Sequence, residues 1–182
     1  LLLTIILNFF GYSFISMIPV IGASKLELSP VSVGLLSSMM GAGALINLLL
    51  LTLFTNSKYF MRFFLGGTLA LLVAIILFSI SPWYSLALIV LFAGGLGEAG
   101  FSSMQATITF TATAPEIRSR VMGLVVVCIG FGPLGMLHTG LMANWLGADL
   151  AIRIIALEGI VATLMCTWLL PALRQPGIEV YA

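Results

Sequence analysis

Six long apolar runs occupy almost the whole chain, near residues 1–21, 31–54, 62–80, 84–113, 121–146 and 151–172, and short polar or turn-forming segments separate them. The breaks are Lys25 to Pro30, Asn56 to Met61, Ser81-Pro82-Trp83, Pro115 to Arg120 and Gly147 to Asp149, followed by a polar tail from Arg174. Each run has about the 20 apolar residues that a helix needs to cross a hydrocarbon layer of about 30 Å. Lipid offers backbone amides no partner, so they must bond within their own segment, and the runs are too long and too uniformly apolar for alternating barrel strands. The pattern predicts an all-α membrane protein of six transmembrane helices.

Composition removes the soluble alternatives. Of 182 residues, 61% are hydrophobic and 7% charged, whereas soluble domains carry about a quarter charged residues. Six spans leave no room for a soluble domain. A net charge of +1 from scattered Lys and Arg makes no footprint for nucleic acid. Cys128 and Cys166 lie inside apolar runs, where a thiol packs as a small hydrophobe, so neither a disulfide, a metal nor a cofactor is expected. No basic flank precedes the first run, as a signal peptide would require, and the chain, starting at Leu1, reads as an internal piece of a longer protein. With six spans, Lys58, Arg62, Arg118, Arg120 and Arg174 share one side, and Lys25 and Arg153 the other, with Glu27 and Asp149 as acidic neighbours. Asp149 stands four residues before Arg153, in place for a helical ion pair. The basic residues then put both termini in the cytoplasm, and Trp83, Tyr84 and Trp145 fit an aromatic belt.

Sliding the chain on itself by 89 positions superposes Gly11 on Gly100, Ser13 on Ser102, Gly34 on Gly123, Gly41 on Gly130, Gly43 on Gly132 and Pro82 on Pro171, and places Tyr12 on Phe101. The shift maps spans one to three (residues 1–89) onto spans four to six (residues 90–182). An odd number of spans inserts the second copy upside down, which predicts a 3+3 inverted repeat, a construction of secondary transporters. The alternative is that glycines recur wherever membrane helices pack closely, a role open to Gly34, Gly41, Gly43, Gly123, Gly130 and Gly132.

Polar residues inside the spans are few and concentrated. Glu98 lies in Gly94-Gly95-Leu96-Gly97-Glu98-Ala99-Gly100, where an ionised carboxylate costs at least a few kcal/mol and demands a partner, a proton or water. Helical spacing puts Ser102, Gln105 and Thr109 on its face, and Thr4, Asn8, Tyr12 and Ser16 form a similar stripe in the first span. Glu98 is expected to bind a proton or a cationic group, since burial favours a carboxyl that exchanges protons, or else to hydrogen-bond a neighbouring helix. His138 either relays protons or is a structural hydrogen-bonding group. Glu158 either shares in function, snorkels or pairs with Arg153, and Asn47 reads as interhelical glue. Gly130-Phe131-Gly132-Pro133-Leu134-Gly135 matches the dinucleotide pattern G-x-G-x-x-G, but that reading needs a preceding strand in a soluble unit; here Pro133 and the glycines predict a kink. The nine methionines, Met39-Met40 among them, read as adaptable packing.

The segment Pro115-Glu116-Ile117-Arg118-Ser119-Arg120-Val121-Met122-Gly123 resembles the cytoplasmic loop between the fourth and fifth helices of a major facilitator superfamily half, and Gly34 to Gly43 and Gly132-Pro133-Leu134-Gly135 through Gly140 and Gly147 support the likeness. The resemblance covers essentially the whole chain and is greatest to the carboxyl-terminal half of the enterobactin-exporter-like and macrolide-efflux-like branch. It implies that the first and fourth helices line a central cavity, that Arg118 and Arg120 anchor or gate the loop, and that an amino-terminal six-helix half is absent. One departure is that Asn56 to Arg62 keeps only Lys58 and Arg62 of an Asp-Arg-x-Gly-Arg type motif. The combined expectation is a proton-coupled exporter of a small amphipathic molecule, a drug or siderophore, in a bacterial inner membrane, with substrate, protons, the other half and lipid as partners. The candidate binding residues are Glu98, Asn8, Tyr12, Ser102 and Gln105. Two alternatives stand beside it: a passive channel or scaffold, and an intramembrane serine protease built on Ser102 or Ser103 with His138, although Gly100-Phe101-Ser102-Ser103 lacks the second glycine of Gly-x-Ser-Gly.

Overall fold

A computed structural model of the chain describes residues 1–54 and 59–174, apart from the side chains of Phe54, Ala172 and Arg174. Lys58 and the Arg174 side chain, used above for orientation, lie outside the described residues. Six helices are long and apolar enough to cross a membrane: α1 (Leu2–Ser24), α2 (Pro30–Phe54), α3 (Phe60–Ile80), α4 (Tyr84–Thr111), α5 (Arg118–Leu146) and α6 (Ala148–Leu169). No strand occurs among the described residues. The predicted breaks hold to within a few residues.

Glycines decide which helices touch. A methyl group on Gly43 of α2 would lie 2.0 Å from the Phe92 carbonyl oxygen of α4, and one on Gly95 of α4 would lie 2.0 Å from that of Met40 on α2. On its other flank α4 meets α3 with Gly67 and Gly97 face to face. Backbones this close allow no side chain between them, which is how membrane helices gain contact when no hydrophobic drive separates them from lipid. Asn47 of α2 adds a side-chain bond to the Leu96 carbonyl of α4, as the glue reading expected. On the other side of the bundle, Gly135 of α5 backs onto the Phe9 carbonyl of α1, and Gly159 of α6 receives Leu72 of α3 and Phe10 of α1. α6 also packs against α5 and α3. Between these contacts runs one apolar core that includes Leu7, Phe14, Leu36, Leu71, Leu72, Phe78, Leu91, Phe101 and Ile152.

Three of the expected packing glycines are corrected. Among the described residues, Gly34, Gly41 and Gly123 have no atom within 4 Å of where a side chain's first carbon would stand, because they sit on the exposed faces of α2 and α5. Gly130 is approached most closely by the Val127 carbonyl of its own helix, and Gly132 only by the Asn8 carbonyl at 3.9 Å. Of the six, Gly43 alone makes a tight interhelical contact. Gly67, Gly95, Gly97, Gly135 and Gly159 carry the role instead.

Two helices depart from regular geometry. α5 breaks at Gly130-Phe131 and restarts at Gly132 with Pro133 in its first turn, the kink expected from a residue that donates no amide hydrogen. α1 is α-helical over Leu2–Ile6, π-helical over Leu7–Gly11, 3-10 over Tyr12–Met17 and α-helical again over Ile18–Ser24. The Asn8 side chain donates to the Thr4 carbonyl at 2.8 Å, competing for the acceptor that the α-helical ladder would use. At the far end Pro19 sits in the first turn of the resumed α-helix, and the tight turns just before it accommodate its missing donor.

Candidate functional site

The irregular stretch of α1 faces the middle of α4. Tyr12 donates its hydroxyl hydrogen to Oε1 of Glu98 at 2.9 Å, and Gln105 donates from Nε2 to the Thr4 hydroxyl at 2.7 Å. The two rungs run in opposite senses along the chain, as antiparallel helices require. Glu98 stands midway along α4, roughly 20 Å from either end at 1.5 Å per residue, so the carboxylate has no route to bulk solvent along its own helix. α1 and α4 are not among the closely packed helix pairs; the long side chains of Tyr12 and Gln105 reach across a gap between them. All four residues of Glu98, Tyr12, Gln105 and Ser102 are half-buried.

The remaining predicted members do not join this bridge. Asn8 is buried and bonded within α1, and the Ser102 hydroxyl reaches only the Ala99 carbonyl of its own helix, at 3.5 Å. Ser16 and Thr109 likewise bond to carbonyls of their own helices. Thr4 was noticed in the stripe but not singled out; the side chain opposite it, Gln105, is what makes it matter. On the opposite face of α4, a cavity of about 290 Å³ opens between α2, α3 and α4, lined by Leu48, Leu51, Thr52 and Phe60 with Ser103, Met104 and Thr107 of α4. Hydroxyls and hydrocarbon alternate on its wall.

Two further charged groupings sit elsewhere. Lys25, Asp149 and Arg153 converge on the end of α3: Lys25 donates to the Ser79 carbonyl, Arg153 Nε donates to the Ser79 hydroxyl at 3.1 Å, and Asp149 lies 3.7 Å from Lys25 and 3.9 Å from Arg153. The predicted pair of Asp149 and Arg153 is present, and Lys25 takes Asp149 as its ion-pair partner. Oε2 of Glu158 lies 3.7 Å from Nε2 of His138; a share in function, snorkelling and pairing with Arg153 were the readings open to it. Arg118 donates to the Thr113 carbonyl at 3.2 Å and stacks its guanidinium 4.1 Å over Phe110, fastening the start of α5 to the end of α4. Ser102 and Ser103 make no hydrogen bond to His138 among the described residues.

The family model of the Major Facilitator Superfamily matches residues 1–179. The chain belongs to this superfamily. A search of curated proteins finds no match. As a Major Facilitator Superfamily member with six membrane-capable helices, the chain is a multi-pass membrane protein and a membrane transporter. Membership also gives the loop at 112–117 its setting: it is the short connection, stapled by Arg118, between the fourth and fifth helices of the unit.

Proposed function

We propose that the chain is the carboxyl-terminal six-helix unit of a proton-coupled exporter, moving a small amphipathic molecule such as a drug or siderophore out through a bacterial inner membrane, with both termini cytoplasmic. The observation that carries the proposal is the Tyr12–Glu98 bridge. A carboxylate at mid-membrane is held by a neutral hydroxyl with no cation in ion-pair contact among the described residues, a setting in which a proton or a cationic cargo is the natural counter-charge. The bridge joins α1 to α4, a pair outside the closely packed ones, so it can break while the glycine contacts of α4 with α2 and α3 stay in place. Protonating Glu98, or offering it a cationic group, competes directly with Tyr12 for the carboxylate. Apart from the bridge, the mixed lining of the cavity between α2, α3 and α4, around Thr52, Ser103 and Thr107, suits a molecule with both apolar bulk and hydrogen-bonding groups.

The unit works, in this proposal, with a second six-helix unit, and its own two triplets are inverted copies. Support comes from α2 and α5, which correspond under the 89-residue shift and are the two least buried spans. Shifting α3 (Phe60–Ile80) by the same amount reproduces α6 (Ala148–Leu169) to within one residue.

The test is transport by the complete exporter in proteoliposomes under an imposed proton gradient. Glu98→Gln should abolish uphill, gradient-driven movement of an amphipathic fluorescent cation while insertion and helix content stay normal, and Tyr12→Phe should weaken coupling without abolishing it. Full gradient-driven transport by Glu98→Gln removes the residue from the mechanism. Flux that no gradient can drive uphill, even in the unaltered protein, favours a passive channel.

A further inference from the structure

We propose that Asn8, Gly11 and the π-helical turn they belong to position Tyr12 for its bond with Glu98, by holding one residue more than a regular helix would. The inference rests on the reading of the Tyr12–Glu98 bridge as the working site, and it says how α1 reaches that site. Two rungs join α1 to α4: Gln105 donates to Thr4, and Tyr12 donates to Glu98. Their spacings differ. Glu98 and Gln105 are seven residues apart on α4, whereas Thr4 and Tyr12 are eight apart on α1.

The difference matters because of the helical period. At about 100° per residue, seven residues of α-helix return to within about 20° of the starting face, while eight overshoot it by about 80°. α4 is one α-helix from Tyr84 to Thr111, so Glu98 and Gln105 share a face. On a regular α1, Tyr12 would stand about 100° round from the line that this pair requires. Gly11, seven residues after Thr4, would take its place.

The turn at Leu7–Gly11 removes the mismatch. The Tyr12 amide donates to the Leu7 carbonyl, five residues back, where an α-helix would use the carbonyl four residues back. One residue is thereby taken up in the turn without advancing the face. Eight residues of α1 then cover the same arc as seven of α4, and both rungs close, at 2.7 and 2.9 Å.

Sequence and packing both favour the wider turn. Gly11 is buried, and a methyl group there would stand 2.6 Å from Cδ1 of Leu7 in the same turn. Asn8 ties the start of the turn to the Thr4 carbonyl at 2.8 Å, and the hydroxyls of Ser13 and Ser16 donate to the carbonyls of Phe10 and Ser13 in the tight segment that follows. Bonds of this kind offer the backbone an alternative to the regular ladder. Glycines on two neighbouring helices receive the turn. A methyl on Gly135 of α5 would stand 2.0 Å from the Phe9 carbonyl oxygen, and one on Gly159 of α6 would stand 2.9 Å from Cβ of Phe10. π turns are rare and recur at functional sites; this one decides the direction of one side chain, Tyr12.

The decisive variant deletes Gly11. Leu7 then stands four residues before Tyr12, the same amide-to-carbonyl contact becomes an ordinary α-helical bond, and Tyr12 keeps its face. Inserting an alanine between Phe10 and Gly11 turns Tyr12 by about 100° instead. The readout is the coupling of Tyr12→Phe with Glu98→Met in a double-mutant cycle, measured by equilibrium unfolding of the complete exporter in mixed micelles. In the unaltered protein the coupling should be about three- to thirtyfold in the unfolding equilibrium, the range for interhelical hydrogen bonds in membranes. It should survive the Gly11 deletion to within about twofold and vanish on the insertion. Absence of coupling in the unaltered protein, its loss in a deletion variant of normal helix content, or its survival in the insertion variant overturns the proposal. If the deletion variant does not fold, solid-state NMR of the unaltered protein in bilayers carries the test: the Tyr12 amide should be hydrogen-bonded to the Leu7 carbonyl, and a bond to Asn8 overturns the proposal. The cycle reads a hydrogen bond rather than transport, so full gradient-driven transport by Glu98→Gln would sink the transport reading and leave this result standing.

Discussion

Gly66 and Gly67 are neighbours in α3 whose replacement by alanine should have opposite consequences. A methyl on Gly66 meets nothing within 4 Å, whereas one on Gly67 would stand 2.5 Å from the Gly97 carbonyl oxygen, 2.7 Å from the Phe101 amide nitrogen and 3.1 Å from the Gly100 carbonyl carbon. All three are backbone atoms of α4, so no side chain can rotate away; the two helices must part by at least 0.5 Å to bring the shortest contact from 2.5 to 3.0 Å. The displacement reaches the stacked rings of Phe64 and Phe101, 5.0 Å apart at 14°. Both substitutions gain the same helix propensity, up to about 1 kcal/mol over glycine, and this cancels in the comparison. What is left is the overpacking cost at Gly67, about 1–3 kcal/mol. Equilibrium unfolding in mixed micelles of increasing dodecyl sulfate content, followed by tryptophan fluorescence, measures it. Gly66→Ala should be neutral or slightly stabilised and Gly67→Ala clearly destabilised. Equal midpoints would refute the claim that α3 and α4 meet backbone to backbone.

Gly95→Ala should cost more than Gly67→Ala in the same titration, since its new methyl stands 2.0 Å from the Met40 carbonyl oxygen and demands twice the separation. A double-mutant cycle of Thr4→Val with Gln105→Leu should return a coupling of about 0.6–2 kcal/mol, the range for interhelical hydrogen bonds in membranes; a coupling near zero means the rung is not formed. Asp149→Asn leaves Lys25 and Arg153 facing each other at Ser79, but the groups are about a third or more exposed, so the loss should stay within about 1 kcal/mol and shrink as salt is added. A large, salt-insensitive loss would show the cluster to be shielded from water.

The apolar runs determined the number, type and approximate ends of the helices, because lipid leaves an amide no partner outside its own segment. The same reasoning singled out Glu98, a carboxylate too deep to stand unpartnered, and the stripes on α1 and α4 contained its partner. Which member of a stripe reaches across was not legible. Tyr12 and Gln105 span the gap because they are long, while Asn8 and Ser102 are short and bond to their own helices.

Glycine spacing proved a poor guide to contact, since the sequence repeats a glycine whether the adjacent face meets another helix, as at Gly43, or open space, as at Gly34 and Gly123. The π and 3-10 turns of α1 were hidden for a related reason: Asn8 and Pro19 are visible in any reading, but the register they impose depends on what the backbone packs against. The pairing of His138 with Glu158, 20 residues apart on successive helices, belongs wholly to tertiary structure. Hydrophobicity acts residue by residue and can be read along the chain, whereas rotation and relative height of helices are set by close contacts between distant segments, which no local pattern encodes.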